Sequence, residues 1–563
     1  MVEFEVIDVF NCLHLYDSAL FVADLFLNEQ SPSIDYSSFQ TPTLEISPSF
    51  HVANTYYMVG NYNRVVHHLS HTDNDLELFL KCQSLLKLGE SSPPESSDSL
   101  HLFQPSNTNA SIVLSLLTNK ATIEGDFDDL IEHLGTFPWF NLHLLGQSLL
   151  YLNKKQYALH CFLLSVTKCP LFYDAWKCFF QCVSDRKHLD LIKNLFKADG
   201  SISSIISAFF LCLFYISISH HSSAEPYLNH FCQFFHKCPL SLEIQGRFYY
   251  SCRNFPKSRE FFEKIVDQFP SRTSGLEIYS NLLYVDNNAQ EISNLSNKMS
   301  INFSNCWIAN IIKGNYLSLK QSRKEASIYF LKAHYISPFS PIPLILLGHE
   351  LLELRNLDGS LKAYLKASEL APLDFRSCYS LGQLYEVCGL HQLSVHHYSQ
   401  ALNLNCEEPR IWSALGLVYA TLKNFDSSKR LFEKSLEISS DDDVIWLHYG
   451  SACCKSNDLD KASKVFHKVC TGFEFSDVVL PLLDDEFQSE LVICSKYLKQ
   501  KGEIKMAEEI LLPVLELGSL TLPEVSSFLA SLTVNNGEVS GRYSPTKRVK
   551  FNSSRGVRSP IQR

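Results

Sequence analysis

Asn281, Asn315, His349 and Gln383 stand at one constant interval along a chain of 563 residues, and each carries a side chain that can donate or accept a hydrogen bond. Evenly spaced groups of this kind can hold the backbone of an extended peptide, each taking up one N–H or carbonyl. Three acids, Glu277, Glu353 and Glu386, accompany the ladder. A carboxylate matches the fork of a guanidinium, so the chemistry open to this set is the selection of a peptide that carries arginine. Leu417 and Ser451 continue the same spacing.

Other chemistry is missing from the sequence. It has no G-x-x-x-x-G-K-[ST] phosphate loop, no G-x-G-x-x-G, no H-E-x-x-H and no G-x-S-x-G elbow. His67-His68, His220-His221 and His396-His397 are adjacent pairs, which diverge by about 100° on a helix and cannot share a metal unaided. The 18 cysteines include no C-x-x-C and fall on apolar helical faces, as at Cys161, Cys388 and Cys494, so buried free thiols are expected. We expect no metal, no cofactor and no enzymatic activity.

A net charge of −11 counts against nucleic acid as the main partner. Met1 to Phe10 carry acids and no basic cap, which predicts no signal peptide and a reduced, intracellular compartment. Ser201 to Ser219 is uncharged, but its dense part, Ile205 to Ile216, is shorter than the roughly 18–20 residues that span hydrocarbon. It reads as a buried helix, and no membrane association is expected.

The helices that carry the ladder are marked by a recurring pattern of side-chain size. Gly314, Gly348, Gly382, Gly416 and Gly450 recur at the ladder's own interval, and at one fixed offset after each comes an aromatic: Phe330, Tyr364, Tyr398, Phe432 and Phe466. At a second fixed offset, between glycine and aromatic, the side chain is Ala326, Ser360, Ser394, Ser428 or Ala462. A small residue lets two antiparallel helices touch, the aromatic wedges against the next helix, and Pro338 and Pro372 stop second helices for want of an amide proton. This is the tetratricopeptide pattern, with a period of about 34 residues. The expected fold is therefore all-α, a repeat superhelix or α-solenoid, with each ladder residue directly after its signature glycine on the inner wall.

Looser units extend upstream. Gly246 precedes Phe262 and Pro270, Ser280 takes the glycine place between Gly246 and Gly314, and Gly146 precedes Ala158, Phe162 and Pro170. Helical pairs are also expected at Leu15 to Leu27 and Asn54 to Leu69, with exposed connections at Asn28 to Phe50 and Glu90 to Asn109. The organisation read from this is divergent helical repeats with Ser/Pro-rich loops at 1–135, middle repeats at 136–272, a C-terminal superhelix with the groove at 273–517, and a disordered basic tail at 533–563. After Gly450 the register slips by 11, an acidic stretch with Asp477, Asp484, Asp485 and Glu486 intervenes, and a last pair surrounds Ser495, Ala507 and Leu511.

Gly541 to Arg563 holds seven basic residues and no acid, so it is +7 while the rest is −11 − 7 = −18. A solvated tail and an import or docking signal are equal readings of it. Ser31-Pro32, Thr41-Pro42, Ser47-Pro48, Ser92-Pro93, Ser544-Pro545 and Ser559-Pro560 are minimal proline-directed phosphorylation sites, all expected in loops.

The chain resembles subunit eight of the anaphase-promoting complex, or cyclosome, a multisubunit ubiquitin ligase of the cell cycle. The resemblance rests on Ser280-Asn281-Leu282-Leu283-Tyr284-Val285, Gly348-His349-Glu350, Gly382-Gln383-Leu384-Tyr385-Glu386 and their spacing, and on Ser544-Pro545-Thr546-Lys547-Arg548-Val549 in the tail. It runs from about Trp139 to Leu517, more loosely ahead of that. It implies a scaffold without catalysis in nucleus and cytoplasm that organises neighbouring repeat subunits during mitosis. It also implies a homodimer through the N-terminal repeats and a groove receiving the arginine-containing C-box of the coactivator. The residues carried over to that groove are Asn281, Asn315, His349, Gln383, Glu353 and Glu386, with Glu277 where the family tends to have an acid. Serines in place of alanine in several units imply a divergent lineage.

Two other readings compete: a sister repeat subunit of the same ligase, or a co-chaperone adaptor clamping acidic C-terminal peptides. The adaptor needs lysines and arginines on the inner wall, whereas Glu277, Glu353 and Glu386 are expected there. A glycosyltransferase with attached repeats would need a catalytic domain for which the array leaves no room.

Overall fold

The computed structural model describes residues 2–26, 47–70, 74–89, 107–120, 134–183, 202–235, 238–270, 272–303, 306–439, 442–470 and 485–516. The serine-proline stretches at 28–46 and 90–106, most of the acidic insertion and the basic tail lie outside them, as do all the Ser-Pro and Thr-Pro sites except Ser47-Pro48. The chain divides into two compact units, Met1–Ser377 and Cys378–Arg563.

Antiparallel helices fill the first unit. In order they are α1 (Val2–Cys12), α2 (Tyr16–Phe26), α3 (Pro48–Met58), α4 (Tyr62–His68), α5 (Asp75–Gly89) and α6 (Ala110–Lys120). Then follow α7 (Trp139–Tyr151), α8 (Lys155–Lys168), α9 (Tyr173–Cys182), α10 (Ile202–Ser217), α11 (His221–Phe234), α12 (Pro239–Ser251) and α13 (Phe255–Gln268). The regular repeats are α14 (Leu276–Val285) with α15 (Ala289–Asn302), α16 (Trp307–Leu319) with α17 (Arg323–Ile336), and α18 (Ile342–Glu353) with α19 (Leu357–Leu370). Across and beyond the boundary come α20 (Phe375–Val387), α21 (His391–Leu404), α22 (Pro409–Thr421), α23 (Phe425–Ile438), α24 (Asp443–Lys455), α25 (Leu459–Cys470), α26 (Asp485–Lys501) and α27 (Ile504–Glu516).

Three devices close the regular units, the first wherever a unit has its glycine, the second throughout and the third in part of them. The aromatic lies flat against its glycine: a Cβ on Gly314 would sit 2.5 Å from the Phe330 ring, and one on Gly382 would sit 2.5 Å from Tyr398. The turn between the two helices is carried by a residue with positive φ at a constant place after the glycine, as at Asn153, Arg253, Asn287, Gln321, Arg355, Gly389, Lys423 and Asn457. Asn254, Asn288, Asn356 and Asn424 follow it as N-caps, their side chains accepting from the amide three residues on. Ser219 and Gly502 hold the same turn position in α10–α11 and α26–α27, which places the slip in register between Gly450 and Ser495.

The serines that replace alanine have a physical role. Ser258, Ser360 and Ser428 donate to the carbonyls of Gly246, Gly348 and Gly416 at 2.8–2.9 Å, while Ser165 and Ser435 donate to Trp139 and Pro409 at 2.8 Å. All five are fully buried. They lock the two helices of a unit together, which accounts for them by chemistry without appeal to lineage.

The N-terminal pair is drawn into the middle of the first unit. Phe10 packs on Trp139 at 5.5 Å and Phe172 at 6.0 Å, Phe21 on Tyr173, Phe209 and Phe210 at 5.3–5.5 Å, and Ser18 donates to Asp174 at 2.8 Å. One hydrophobic core accordingly runs from Val6 to Ile244. The apolar stretch expected to be a buried helix is α10, with Ile206, Phe209, Phe210 and Leu211 at most 2% exposed. Among the described residues no helix is long and apolar enough to cross a membrane. The same unit also folds back on itself, since Tyr151 packs on Phe339 at 5.1 Å and the Lys155 ammonium reaches the Glu369 carbonyl.

Some local expectations need correcting. Ser47 and Pro48 do not lie in a loop: Ser47 caps α3 by accepting from the Phe50 amide at 3.0 Å, and its hydroxyl donates to Glu77 on α5. Asn107 and Asn109, expected in a connection, donate to the Leu86 and Leu85 carbonyls at the end of α5. Cys161 and Cys494 are buried, whereas Cys388 is exposed because it follows the last residue of α20.

Candidate peptide-binding ladder

In the first unit the ladder is engaged with itself. Asn315, 4% exposed on α16, donates through Nδ2 to Asn281 Oδ1 at 2.7 Å and to Ser280 Oγ at 2.8 Å on α14. These two neighbouring ladder positions therefore face one another, and an amide-to-amide bond joins them. His349 is half-buried, its Nδ1 hydrogen-bonded with the Tyr364 hydroxyl at 2.8 Å. Burial pushes its imidazole down to about 4, so it is neutral at physiological pH and serves as a dipole rather than a charge.

The acids fare differently from what their spacing suggests. Glu277 is only 3% exposed, and the Arg247 guanidinium holds its Oε1 at 2.6 Å. Arg247 stands directly after Gly246, one period before Asn281, so it is itself the next rung of the ladder. It also binds Glu243 at 2.8 Å, Glu243 binds Arg272 at 2.7 Å, and Arg272 pairs with Asp24 of α2. Burial works to raise the Glu243 carboxyl, but the two guanidinium groups outweigh it and hold it at about 2. This chain of charges ties the N-terminal pair to the repeats that carry the ladder.

Glu353 lies at the end of α18, 24% exposed, with Arg323 Nη2 3.8 Å from its Oε2. Arg323 Nη1 reaches the buried Glu350 at 3.3 Å, whose other oxygen accepts from the Ser318 hydroxyl at 2.7 Å. Burial raises the Glu350 carboxyl, against the pull of Ser318 and Arg323. The sequence signal for Arg247 was legible in its register. That for Arg323 and Glu350 was not, because an ion pair between adjacent units leaves no periodic mark.

The second unit carries Gln383 and Glu386, one helical turn apart on α20. Gln383 is 7% exposed, and its Oε1 is buried without a protein partner. Glu386 is half-buried and accepts from the Tyr398 hydroxyl at 2.8 Å; burial raises its carboxyl. Tyr398 is the aromatic wedge of this repeat, so one side chain closes the fold and aims the acid. Ser451 donates to Glu490 at 2.9 Å. Among the described residues no group of three or more His, Cys, Asp and Glu could hold a metal ion, and the His397 ring stacks on Tyr385 at 5.2 Å.

What the arrangement can do is bind. It offers buried amides and carboxylates on first helices, with hydroxyl groups orienting them, and each acid is held by a partner of different strength.

Residues 33–242 match the family described as anaphase promoting complex subunit 8 / Cdc23, and residues 409–442 match the tetratricopeptide repeat. The family match starts well ahead of Trp139, inside the part where the resemblance had looked loosest. Anaphase-promoting complex subunit 8 of Arabidopsis thaliana is 24% identical over 330 residues, 58% of this chain and 55% of that protein. Its namesake in Dictyostelium discoideum is 28% identical over 197 residues, 35% of this chain and 32% of that one. The chain thus spans about half and about a third of the two relatives' lengths. The crystal structure of the APC/C hetero-tetramer Cut9-Hcn1 shares the fold at a TM-score of 0.62 and 16% identity, over 86% of this chain and 89% of that one. By these matches, and by the repeat built from Gly314 to Phe466, the chain is a tetratricopeptide-repeat protein similar, over parts of its length, to the anaphase-promoting complex subunit 8 / Cdc23 family.

Proposed function

We propose that this chain is a non-catalytic scaffold subunit of the anaphase-promoting complex, organising neighbouring repeat subunits and taking the arginine of the coactivator C-box during cell-cycle ubiquitination. The observation that carries the reading is the family match over residues 33–242, and it is supported by the bond between the neighbouring ladder amides of Asn315 and Asn281. Glu386 is the acid best placed for an incoming arginine, because the group that holds it is a neutral hydroxyl, whereas Glu277 and Glu353 face the chain's own guanidinium groups. Asn281, Asn315, His349 and Gln383 would hold the peptide backbone.

A homodimer through the N-terminal repeats is part of the proposal. It is supported by an apolar face on α2 and α3, where Tyr16, Leu20, Met58 and Val59 are 48–82% exposed and the Tyr16 hydroxyl meets the Met58 sulfur at 3.5 Å. Residence in nucleus and cytoplasm follows from the same role.

The test is affinity purification of the tagged chain from dividing cells, with mass spectrometry of what accompanies it. Recovery of sister repeat subunits, a cullin and a RING protein in stoichiometric amounts supports the reading. Recovery of chaperones, or of nothing stoichiometric, refutes it.

A further inference from the structure

Two of the three ladder acids already hold an arginine of this chain, and the two grips differ. Arg247 meets Glu277 at 2.6 Å with the acid 3% exposed, and the same guanidinium is fixed by Glu243, which Arg272 fixes in turn. That is a buried network, and an outside arginine could enter it only by dismantling the joint between α12 and α14. Arg323 is held otherwise. Its contact with Glu353 is 3.8 Å, too long for a hydrogen bond, and its contact with Glu350 is a single one at 3.3 Å. Neither acid engages it through two parallel bonds, the arrangement that makes arginine–carboxylate pairs strong.

Arg323 is also built to let go. It is the first residue of α17, two places after Gln321, whose positive φ makes the turn and whose Oε1 lies 3.1 Å from Arg323 Nη2. Released from the acids, the guanidinium keeps that partner and turns toward water from the turn between the two helices. Glu353, 24% exposed, is the acid of the pair that an outside group can reach, while Glu350 at 5% keeps the Ser318 hydroxyl.

We propose that Arg323 is a resident occupant of the Glu350–Glu353 carboxylates that an arriving peptide guanidinium must displace, so that it sets the affinity and the arginine selectivity of the first unit's ladder. The inference rests on the peptide-binding reading above. Its corollary is that Glu277, locked by Arg247, touches no ligand.

The experiment uses the full chain and a fluorescein-labelled, end-capped seven-residue peptide with one central arginine, beside its citrulline counterpart of equal shape and no charge. Binding is measured by anisotropy for the wild type, for Arg323→Gln, and for Arg323→Gln combined with Glu350→Gln. The double variant removes the buried carboxylate's charge along with its partner and carries the test should the single variant fold poorly. The expected result is an arginine peptide bound about three- to tenfold more tightly by the variants, equivalent to about 0.7–1.4 kcal/mol, with the citrulline peptide unmoved. Unchanged or weaker binding by both variants, with the wild type still preferring arginine over citrulline, overturns the resident role and leaves the ladder reading standing. Failure of wild type and variants alike to distinguish the two peptides overturns both.

Discussion

Adding one methyl group to a signature glycine should have unequal consequences in two neighbouring repeats of the second unit. A Cβ on Gly382 would lie 2.5 Å from both Cδ1 and Cε1 of Tyr398, whereas one on Gly416 would lie 3.1 Å from Cε1 and Cζ of Phe432. Carbon atoms in contact prefer about 3.5–4.0 Å, so the ring must retreat by about 1 Å in the first case and about half that in the second. Tyr398 and Phe432 are both fully buried, but Tyr398 is also tethered by its hydroxyl to Glu386 at 2.8 Å. Overpacking of this kind costs about 1–3 kcal/mol, while alanine gains about 1 kcal/mol over glycine inside a helix. Gly382→Ala should therefore lose about 1–2 kcal/mol and Gly416→Ala should change little, within about 0.5 kcal/mol. Urea unfolding followed by circular dichroism gives the totals, and amide hydrogen exchange in α20–α23 localises them, since repeats need not unfold together. Because the ring carries Glu386, Gly382→Ala should also weaken arginine-peptide binding. Equal destabilisation of the two variants, or a more stable Gly382→Ala, would refute the reasoning.

Arg247→Ala leaves Glu243 and Glu277 buried without their shared cation and should destabilise the first unit by about 3 kcal/mol; adding Glu277→Gln should recover part of the loss in a urea melt. Lys423 has φ near 60°, which disfavours any side chain, so Lys423→Gly should stabilise by about 0.5 kcal/mol in the same assay, a loss counting against the turn assignment. Burial drives the His143 imidazole from 6.5 down to about 3, so the unfolded chain takes up its proton first and stability falls as pH drops below 6.5. At pH 5 that loss is about 2 kcal/mol, and His143→Phe should flatten the stability profile between pH 7 and pH 5. Glu386→Gln keeps an acceptor for the Tyr398 hydroxyl and should leave the melt within about 0.5 kcal/mol while weakening an arginine peptide; unchanged affinity with an intact melt would sink its role. Charge reversal of Glu353 and Glu386 is a poorer probe than their spacing suggests, because neither is fully exposed.

The repeat was legible because its causes are local and periodic. Gly348, Tyr364 and Ser360 must have their sizes wherever two helices touch, and a constraint that returns once in every unit shows in one dimension. The ladder positions followed from that register, as did α10 as a buried helix. The ends of the regular array were harder. Ser47 as a cap for α3 and Asn107 as a cap for α5 looked like loop residues, because serine, proline and asparagine serve turns and helix ends alike.

By itself, the sequence determined the helical pairs, their register, the aromatic wedge behind each glycine and which side chains would stand on the first helices. What those side chains meet was settled by the packing of the units in three dimensions. That Glu277 is spent on Arg247, that Glu353 is loosely held by Arg323, that Glu386 is aimed by Tyr398, and that Asp24 reaches across 248 residues to Arg272 all depend on which units lie side by side. Ion pairs between units obey no period, and a charge's partner is set by distance in space, which packing alone supplies.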